Sequence, residues 1–122
     1  MATYRELLNQ VKAEIAEIGS PDLHDRLALG DRPFLLDIRE QDEWDEGHLP
    51  GAVHVPRGNL EARIEAVIPD KAREIVTYCA VGARSAFAAK SLTELGYTDV
   101  ASMSGGFSGW KHNGDGYETQ RA

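Results

Sequence analysis

The sequence predicts one α/β domain of three layers, in which a central, mostly parallel sheet carries helices on both faces. Two observations predict this class. Short, nearly continuous apolar runs recur along the chain, as is typical of strands that are covered on both faces. Segments with helical periodicity separate these runs, and strands that alternate with helices are typical of parallel sheets. The 122 residues suffice for one such domain with its own core.

An amphipathic helix is predicted at the N-terminus. Apolar residues recur at steps of three and four from Tyr4 to Ile18, and Gly19 follows as a helix end. We expect this helix to pack on the domain's own core, with docking of a partner as the alternative. A second helix is predicted to start with Ser20 as N-cap and Pro21 in the first helical position, and to end at Gly30. Two helices therefore precede the first predicted strand.

Four strands are predicted in the rest of the chain. They are Phe34–Ile38, Ala52–Val55, Glu74–Tyr78 and Asp99–Met103. The helical segments between them are Gln41–Glu46, Leu60–Val67 and Ala83–Leu95. Each connection between strands thus contains a helical segment, as a parallel sheet requires.

Composition excludes several classes of protein. The 13 Lys and Arg residues against 20 Asp and Glu residues give a net charge of −7, which disfavours nucleic acid as a partner. No apolar run is long enough to span a membrane and no signal peptide begins the chain, so a cytoplasmic protein without a membrane partner is expected. With Cys79 as the single cysteine and no paired spacing of histidines, neither an internal disulfide nor a metal site is expected.

The only cysteine lies in a tight loop between a predicted strand and a predicted helix. The loop residues are Cys79, Ala80, Val81, Gly82, Ala83, Arg84 and Ser85. Gly82 allows a left-handed backbone, which turns successive N–H groups toward the sulfur. The N-terminus of the following helix and the charge of Arg84 both favour a thiolate. The pattern predicts an anion-binding loop around a reactive Cys79; a buried, inert cysteine is the alternative.

Four segments of the sequence, taken in order, resemble the signatures of the single-domain rhodanese family of sulfurtransferases. They read LDIRE at Leu36–Glu40, GHLPGAVHVP at Gly47–Pro56 after Trp44, CAVGARS at Cys79–Ser85, and GGFSGW at Gly105–Trp110. The resemblance extends from about Pro21 to Tyr117, and Gly114–Tyr117 departs from the Gly-x-Pro that often closes the family's domain. It implies a rhodanese-like three-layer domain over residues 20–122, preceded by an extra N-terminal helix over residues 1–19.

The resemblance also implies a chemistry. Cys79 would take the outer sulfur of a small anionic donor such as thiosulfate, and would pass the resulting persulfide sulfur to an acceptor. The loop residues Ala80 to Ser85 would bind the donor, mainly through their backbone N–H groups. The implied acceptor is a thiol or cyanide, with a protein acceptor as a further option, and no cofactor is implied.

Three other functions are weighed against this one. A persulfide carrier for a partner enzyme would share the chemistry, whereas a rhodanese-fold interaction domain without activity would not need Cys79. The related cell-cycle phosphatases and arsenate reductases place five residues between Cys and Arg, whereas only four lie between Cys79 and Arg84. The shorter loop favours sulfur transfer over chemistry on a tetrahedral oxyanion.

Residues outside the loop are assigned structural roles. Asp37 and Arg39 are expected to form an ion pair, with orientation of Arg84 or the loop as the alternative. His48 and His54 are expected to be hydrogen-bonded within the fold rather than to act as bases. The run of acidic residues from Glu40 to Glu46 is expected to be a solvated helix face. Three aromatic residues are assigned to the core or to the walls of a pocket: Trp44, Phe107 and Trp110. The alternative for Phe107 or Trp110 is a place at the mouth of the site.

Overall fold

The structure, a computed structural model, describes residues 2–112. The helices are α1 (Tyr4–Glu14), α2 (Ser20–Ala28), α3 (Gln41–Glu46), α4 (Leu60–Val67), α5 (Ala83–Glu94) and α6 (Gly106–His112), with a 3-10 turn at Arg57–Asn59. The strands are β1 (Ala16–Gly19), β2 (Phe34–Asp37), β3 (Val53–His54), β4 (Ile75–Tyr78) and β5 (Val100–Ser104). The departure from the family pattern at Gly114–Tyr117 lies outside the described residues.

The five strands form one sheet in the order β1-β5-β4-β2-β3, and every pairing is parallel. Strand β4 is central, with β5 on one side and β2 on the other. The chain leaves β4 toward β5 and leaves β2 toward β3, so the two connections run in opposite directions from the middle of the sheet. Open parallel sheets bind ligands at the carboxyl ends of the strands at such a point.

Two apolar clusters cover the two faces of the sheet. Neighbouring residues of one strand point to opposite faces, so that Leu36 and Ile75 belong to one cluster and Leu35 and Val76 to the other. Helices α4 and α5 contribute side chains to the first cluster, and α2 and α6 to the second. The predicted three-layer α/β class is therefore confirmed.

The N-terminal helix is shorter than predicted. Helix α1 ends at Glu14, and Ala16–Gly19 forms an edge strand that pairs with β5, with Ala16 opposite Ala101 and Gly19 opposite Ser104. The prediction of a helix to Ile18, with no strand between the first two helices, is wrong. The reason is that β5 offers unpaired backbone groups along its free edge, and pairing with them outweighs the helical spacing of Ile18.

Helix α1 packs against α5, as expected for a helix that covers its own domain. Val11 is its buried residue, Tyr4 stacks on Phe87 with ring centroids 6.2 Å apart, and Glu14 pairs with Lys90. Within residues 2–112, no helix combines the length and apolar character needed to cross a membrane.

Helix α2 starts one residue earlier than predicted. Gly19 occupies the N-cap position, Ser20 is already helical, and Pro21 lies in the first turn. The assignment of Ser20 as N-cap is therefore wrong, because the extended backbone of β1 runs directly into the helix through Gly19. Gly30 follows the C-cap with a φ of 100°, and the predicted end of the helix is confirmed.

Candidate active site

Cys79 lies at the carboxyl end of β4, at the point where connections leave the middle of the sheet in opposite directions. Its side chain is buried, with a relative exposure of 1%, and it contacts the apolar cluster that α4 and α5 cover. Helix α5 begins at Ala83, only four residues later. The sulfur is therefore placed beneath the N-terminus of a 12-residue helix, where the helix dipole favours negative charge.

Backbone N–H groups of the loop point at the sulfur. The N–H of Gly82 donates to Cys79 Sγ at 3.1 Å, and the N–H of Ser85 donates to it at 3.3 Å. Gly82 has a φ of 99°, in the left-handed region that glycine tolerates, and this conformation turns its N–H inward. Both N–H groups are thus placed to donate to a negative charge on the sulfur, and hydrogen bonds to a charged acceptor are stronger than those to a neutral one.

Two hydroxyl groups, of Ser85 and Ser102, form a hydrogen-bonded chain that leads from the sulfur toward β5. Cys79 Sγ lies 3.5 Å from Ser85 Oγ, and Ser85 Oγ lies 2.8 Å from Ser102 Oγ. Thr77 Oγ1 donates to the carbonyl of Ser85 at 3.0 Å, which fixes the first turn of α5 to β4. When Ser102 donates to Ser85, the hydroxyl hydrogen of Ser85 is available to a thiolate at Cys79.

Helix α6 holds the other side of the loop. The N–H groups of Phe107 and Ser108 donate to the carbonyls of Cys79 and Ala80 at 2.8 and 2.9 Å. These bonds turn the two carbonyls toward α6 and leave the loop N–H groups facing the sulfur. Gly106 permits this contact, because a Cβ at that position would lie 2.5 Å from both carbonyl oxygens.

Arg84 forms an ion pair with a residue on another helix. Its two terminal nitrogens donate to the two carboxylate oxygens of Glu43 on α3, at 2.8 and 3.0 Å. The hydrogen bonds from Arg84 are the main reason that the pKa of Glu43 falls to about 2. In return, the carboxylate raises the pKa of Arg84. The acidic run on α3, predicted as a solvated face, thus contains the partner of the loop's cation.

The Asp37–Arg39 pair is buried beside the loop. Arg39 Nη2 donates to Asp37 Oδ2 at 2.7 Å and to the carbonyl of Gly47 at 2.7 Å, and the guanidinium lies over the ring of Phe107. The expected ion pair is confirmed. Of the alternative, the part in which these residues orient Arg84 is wrong, since Arg84 bonds to Glu43 instead; orientation of the loop stays a prediction.

The two histidines near the second family segment are bonded within the fold, as expected. His48 Nδ1 lies 2.9 Å from the carbonyl oxygen of Leu49, and His54 Nε2 lies 2.7 Å from that of Arg39. Both rings stack on Trp44, with centroid distances of 3.5 and 5.1 Å. Through these contacts Trp44 packs α3 against β3.

A cleft of about 320 Å³ opens beside Ala80. Its lining residues include Phe107, Ser108, Lys111 and Glu43, so α3 and α6 form its walls. Phe107 thus borders the loop, as the sequence suggested. Trp110 is buried in the same apolar cluster as Phe107 but lines a different cavity, of about 510 Å³.

The seven predicted site residues run from the end of β4 into the first turn of α5, and their roles differ. Gly82 and Ser85 donate to the sulfur, Val81 is exposed, and the Arg84 side chain turns toward α3. Sequence reasoning missed Glu43 as the partner of Arg84. The spacing of Glu40 and Glu43 does indicate the capping box that forms at the start of α3, but nothing in it points to α5.

Comparison with known proteins agrees with this geometry. The sequence model of the rhodanese-like domain family matches residues 20–113. A putative sulfurtransferase, YtwF, from Bacillus subtilis is 35% identical over 80% of this chain and 92% of its own length. The thiosulfate sulfurtransferase GlpE of Coxiella burnetii is 35% identical over 63% of this chain and 70% of its own length.

A solved structure covers almost the whole chain. A protein of unknown function from Rhodopseudomonas palustris, RPA3614, described as a "possible tyrosine phosphatase", superimposes with a TM-score of 0.87 at 28% identity, over 97% of this chain and 96% of its own. The likeness thus includes the N-terminal segment that precedes residue 20. Because the family model spans most of the chain and the sulfurtransferase relatives align over most of their own lengths, the chain belongs to the rhodanese-like domain family.

Proposed function

We propose that this protein is a sulfurtransferase that moves sulfane sulfur from a small anionic donor to a thiophilic acceptor through a persulfide on Cys79. The observation that supports this most directly is the pair of backbone N–H groups, from Gly82 and Ser85, that point at Sγ. A sulfur held in this way is stabilised as an anion and is ready to act as a nucleophile. The thiosulfate sulfurtransferase from Coxiella burnetii suggests the class of donor.

In the first half of the reaction, the Cys79 thiolate attacks the outer sulfur of thiosulfate. A new S–S bond forms to Sγ while the bond between the two sulfur atoms of thiosulfate breaks, and its electron pair leaves with sulfite. The product is a Cys79 persulfide anion. The loop N–H groups keep the negative charge stable at each stage, since they are already in place and need not reorganise.

In the second half, the acceptor attacks the outer sulfur of the persulfide. The S–S bond breaks, its electron pair returns to Sγ, and the Cys79 thiolate is restored. Cyanide gives thiocyanate in this step, and a thiol gives a persulfide of its own after losing a proton. The balance of both steps needs no cofactor and no added oxidant or reductant.

The loop residues divide the work of binding. Backbone N–H groups from Ala80 to Ser85 bind the donor and the persulfide. Helix α6 holds the carbonyls of Cys79 and Ala80 by hydrogen bonds from Phe107 and Ser108. The side chains of Ala80, Val81 and Ala83 carry no charge or hydrogen-bond donor. Recognition of the donor therefore depends mainly on the backbone. A persulfide carrier that serves a partner enzyme would use the same loop, with a protein as acceptor.

The test is a thiosulfate-to-cyanide assay, combined with the intact mass of the protein after treatment with thiosulfate. We expect turnover to thiocyanate, and one added sulfur atom in the wild type that cyanide removes. Cys79→Ser should lose both signals while it keeps the wild-type unfolding temperature within a few degrees. Retention of the added mass and of turnover in a folded Cys79→Ser variant would refute the mechanism.

A further inference from the structure

The guanidinium of Arg84 is paired with the carboxylate of Glu43. Glu43 accepts three hydrogen bonds, two from Arg84 and one from the N–H of Glu40 at 3.0 Å. The last of these bonds belongs to the capping box that starts α3, so the carboxylate is fixed by its own helix as well as by Arg84. Both side chains of the pair are partly buried, with exposures of 39% and 29%.

This pairing reduces the positive charge around the loop. Arg84 is the only charged side chain between Cys79 and Ser85. Nearby Arg39 is bonded to Asp37 and to the carbonyl of Gly47, so its charge is also balanced. The cleft beside Ala80 also carries Lys111 on its wall. At Arg84, however, an incoming anion meets an ion pair rather than an isolated guanidinium. A second negative charge on the donor therefore adds less to its binding at this site than it would at a site with an unpaired arginine.

We propose that Glu43 is a specificity-determining residue of this site: by holding Arg84 in a bidentate ion pair, it favours donors with one negative charge over donors with two. This inference rests on the proposed sulfur transfer. Glu43 acts through Arg84 and is a positioning residue, since its hydrogen bonds come from Arg84 and from its own helix at Glu40.

Glu43→Gln tests the proposal, because glutamine keeps the shape of the side chain and removes its charge. The two donors are thiosulfate, a dianion, and benzenethiosulfonate, a monoanion. We expect the KM for thiosulfate to fall about two- to fivefold, in the range of partly exposed charge pairs. The KM for benzenethiosulfonate should fall less, and kcat should stay within about twofold. Glu43→Asp keeps the charge and should keep the wild-type preference between donors.

Glu74→Gln is the matched control. Glu74 forms a similarly exposed ion pair with Arg26 at 2.7 Å, and its loss changes the net charge by the same amount. It precedes the amino end of β4, roughly 16 Å from Cys79 along an extended strand. We expect its donor preference to equal that of the wild type. Equal KM changes for both donors in Glu43→Gln, or no fall in KM for thiosulfate, would overturn the proposal.

A second measurement does not depend on sulfur transfer. Iodoacetate and iodoacetamide alkylate the same thiol, but only iodoacetate carries a negative charge. In Glu43→Gln the iodoacetate rate divided by the iodoacetamide rate should be about two- to fivefold higher than in the wild type. An unchanged ratio would refute the role of Glu43. Absence of thiosulfate turnover and of the added sulfur in the wild type would instead refute the proposed function. The alkylation ratio would still show whether Glu43 offsets the positive charge of Arg84 at the loop.

Discussion

At the scale of the residue, Gly106 controls the shape of the loop around Cys79. It adopts a φ of 58°, and a Cβ there would lie 2.5 Å from the carbonyl oxygens of Cys79 and Ala80. Backbone atoms cannot give way as a flexible side chain can. Any larger residue must therefore push α6 away from the loop and break the hydrogen bonds that Phe107 and Ser108 make to it.

Gly106→Ala is therefore predicted to lower the free energy of unfolding by roughly 2–4 kcal/mol, and to lower sulfur transfer by more than the loss of folded protein explains. Denaturant unfolding and the thiosulfate assay measure the two effects. Gly58→Ala is the control, because a Cβ at Gly58 meets no atom within 4 Å. A Gly106→Ala variant with wild-type stability and activity would contradict this account of the loop.

At the scale of the element, the Glu43–Arg84 pair joins α3 to α5. The pKa of Glu43 is lowered from its ordinary value of 4.5 to about 2, chiefly by the hydrogen bonds from Arg84. A carboxyl whose pKa is lower in the folded state stabilises the fold above its unfolded pKa, and this contribution disappears as the pH falls through the folded pKa. The contact between the two helices should therefore weaken between pH 4.5 and about 2.

We predict that wild type and Glu43→Gln differ most in unfolding free energy near neutral pH. The difference should shrink as the pH falls below 4.5 and close as it approaches 2, because a protonated Glu43 no longer attracts Arg84 as a charge. Unfolding curves at a series of pH values measure this difference, in which groups common to both proteins cancel. A difference that stays constant over that range would contradict the assigned pKa shift.

Helix α1 stabilises the domain through a small number of side chains on α5. Val11 is 2% exposed, whereas Leu7 on the same helix is 44% exposed. Val11→Ala is predicted to lower the free energy of unfolding by about 2 kcal/mol, since it removes buried apolar surface and leaves a cavity. Leu7→Ala should cost at most about 0.5 kcal/mol. Equal losses in chemical denaturation would show that α1 does not pack on α5 through Val11.

At the scale of the whole molecule, we predict that the number of residues in the loop decides which anion the site accepts. Gly82 and Ser85 both donate to Cys79 Sγ, so the number of residues between them sets how closely the N–H groups surround the sulfur. We predict that the wild type transfers sulfur and leaves an aryl phosphate essentially unhydrolysed. Phosphatase activity without sulfur transfer would contradict this prediction and would favour the function suggested for the Rhodopseudomonas palustris protein.

Insertion of one glycine after Ala83 tests the same idea from the other direction. The insertion moves the N–H of Ser85 away from Cys79 Sγ, and thiosulfate turnover should fall about tenfold or more. Gain of phosphatase activity is not required, because that reaction also needs an acid for the leaving group. A folded insertion variant with undiminished sulfur transfer would show that loop length does not control the chemistry.

The sequence by itself determined the elements whose signals are local. The apolar runs before Ile38 and Cys79 correspond to β2 and β4, because a strand buried on both faces must be apolar throughout. Strand β1 is different. Its four residues form no apolar run, and they are a strand only because β5, more than 80 residues away, leaves an edge open for pairing.

The candidate site divides in the same way. A cysteine followed by Gly82 and a helix N-terminus already indicates N–H groups that converge on Sγ, because these features lie within seven residues of one another. Only the tertiary structure decided which groups surround that loop. Glu43 and Gly106 come from α3 and α6, and the fold alone brings them to the loop because long-range packing, and not the neighbouring sequence, sets the distance between helices.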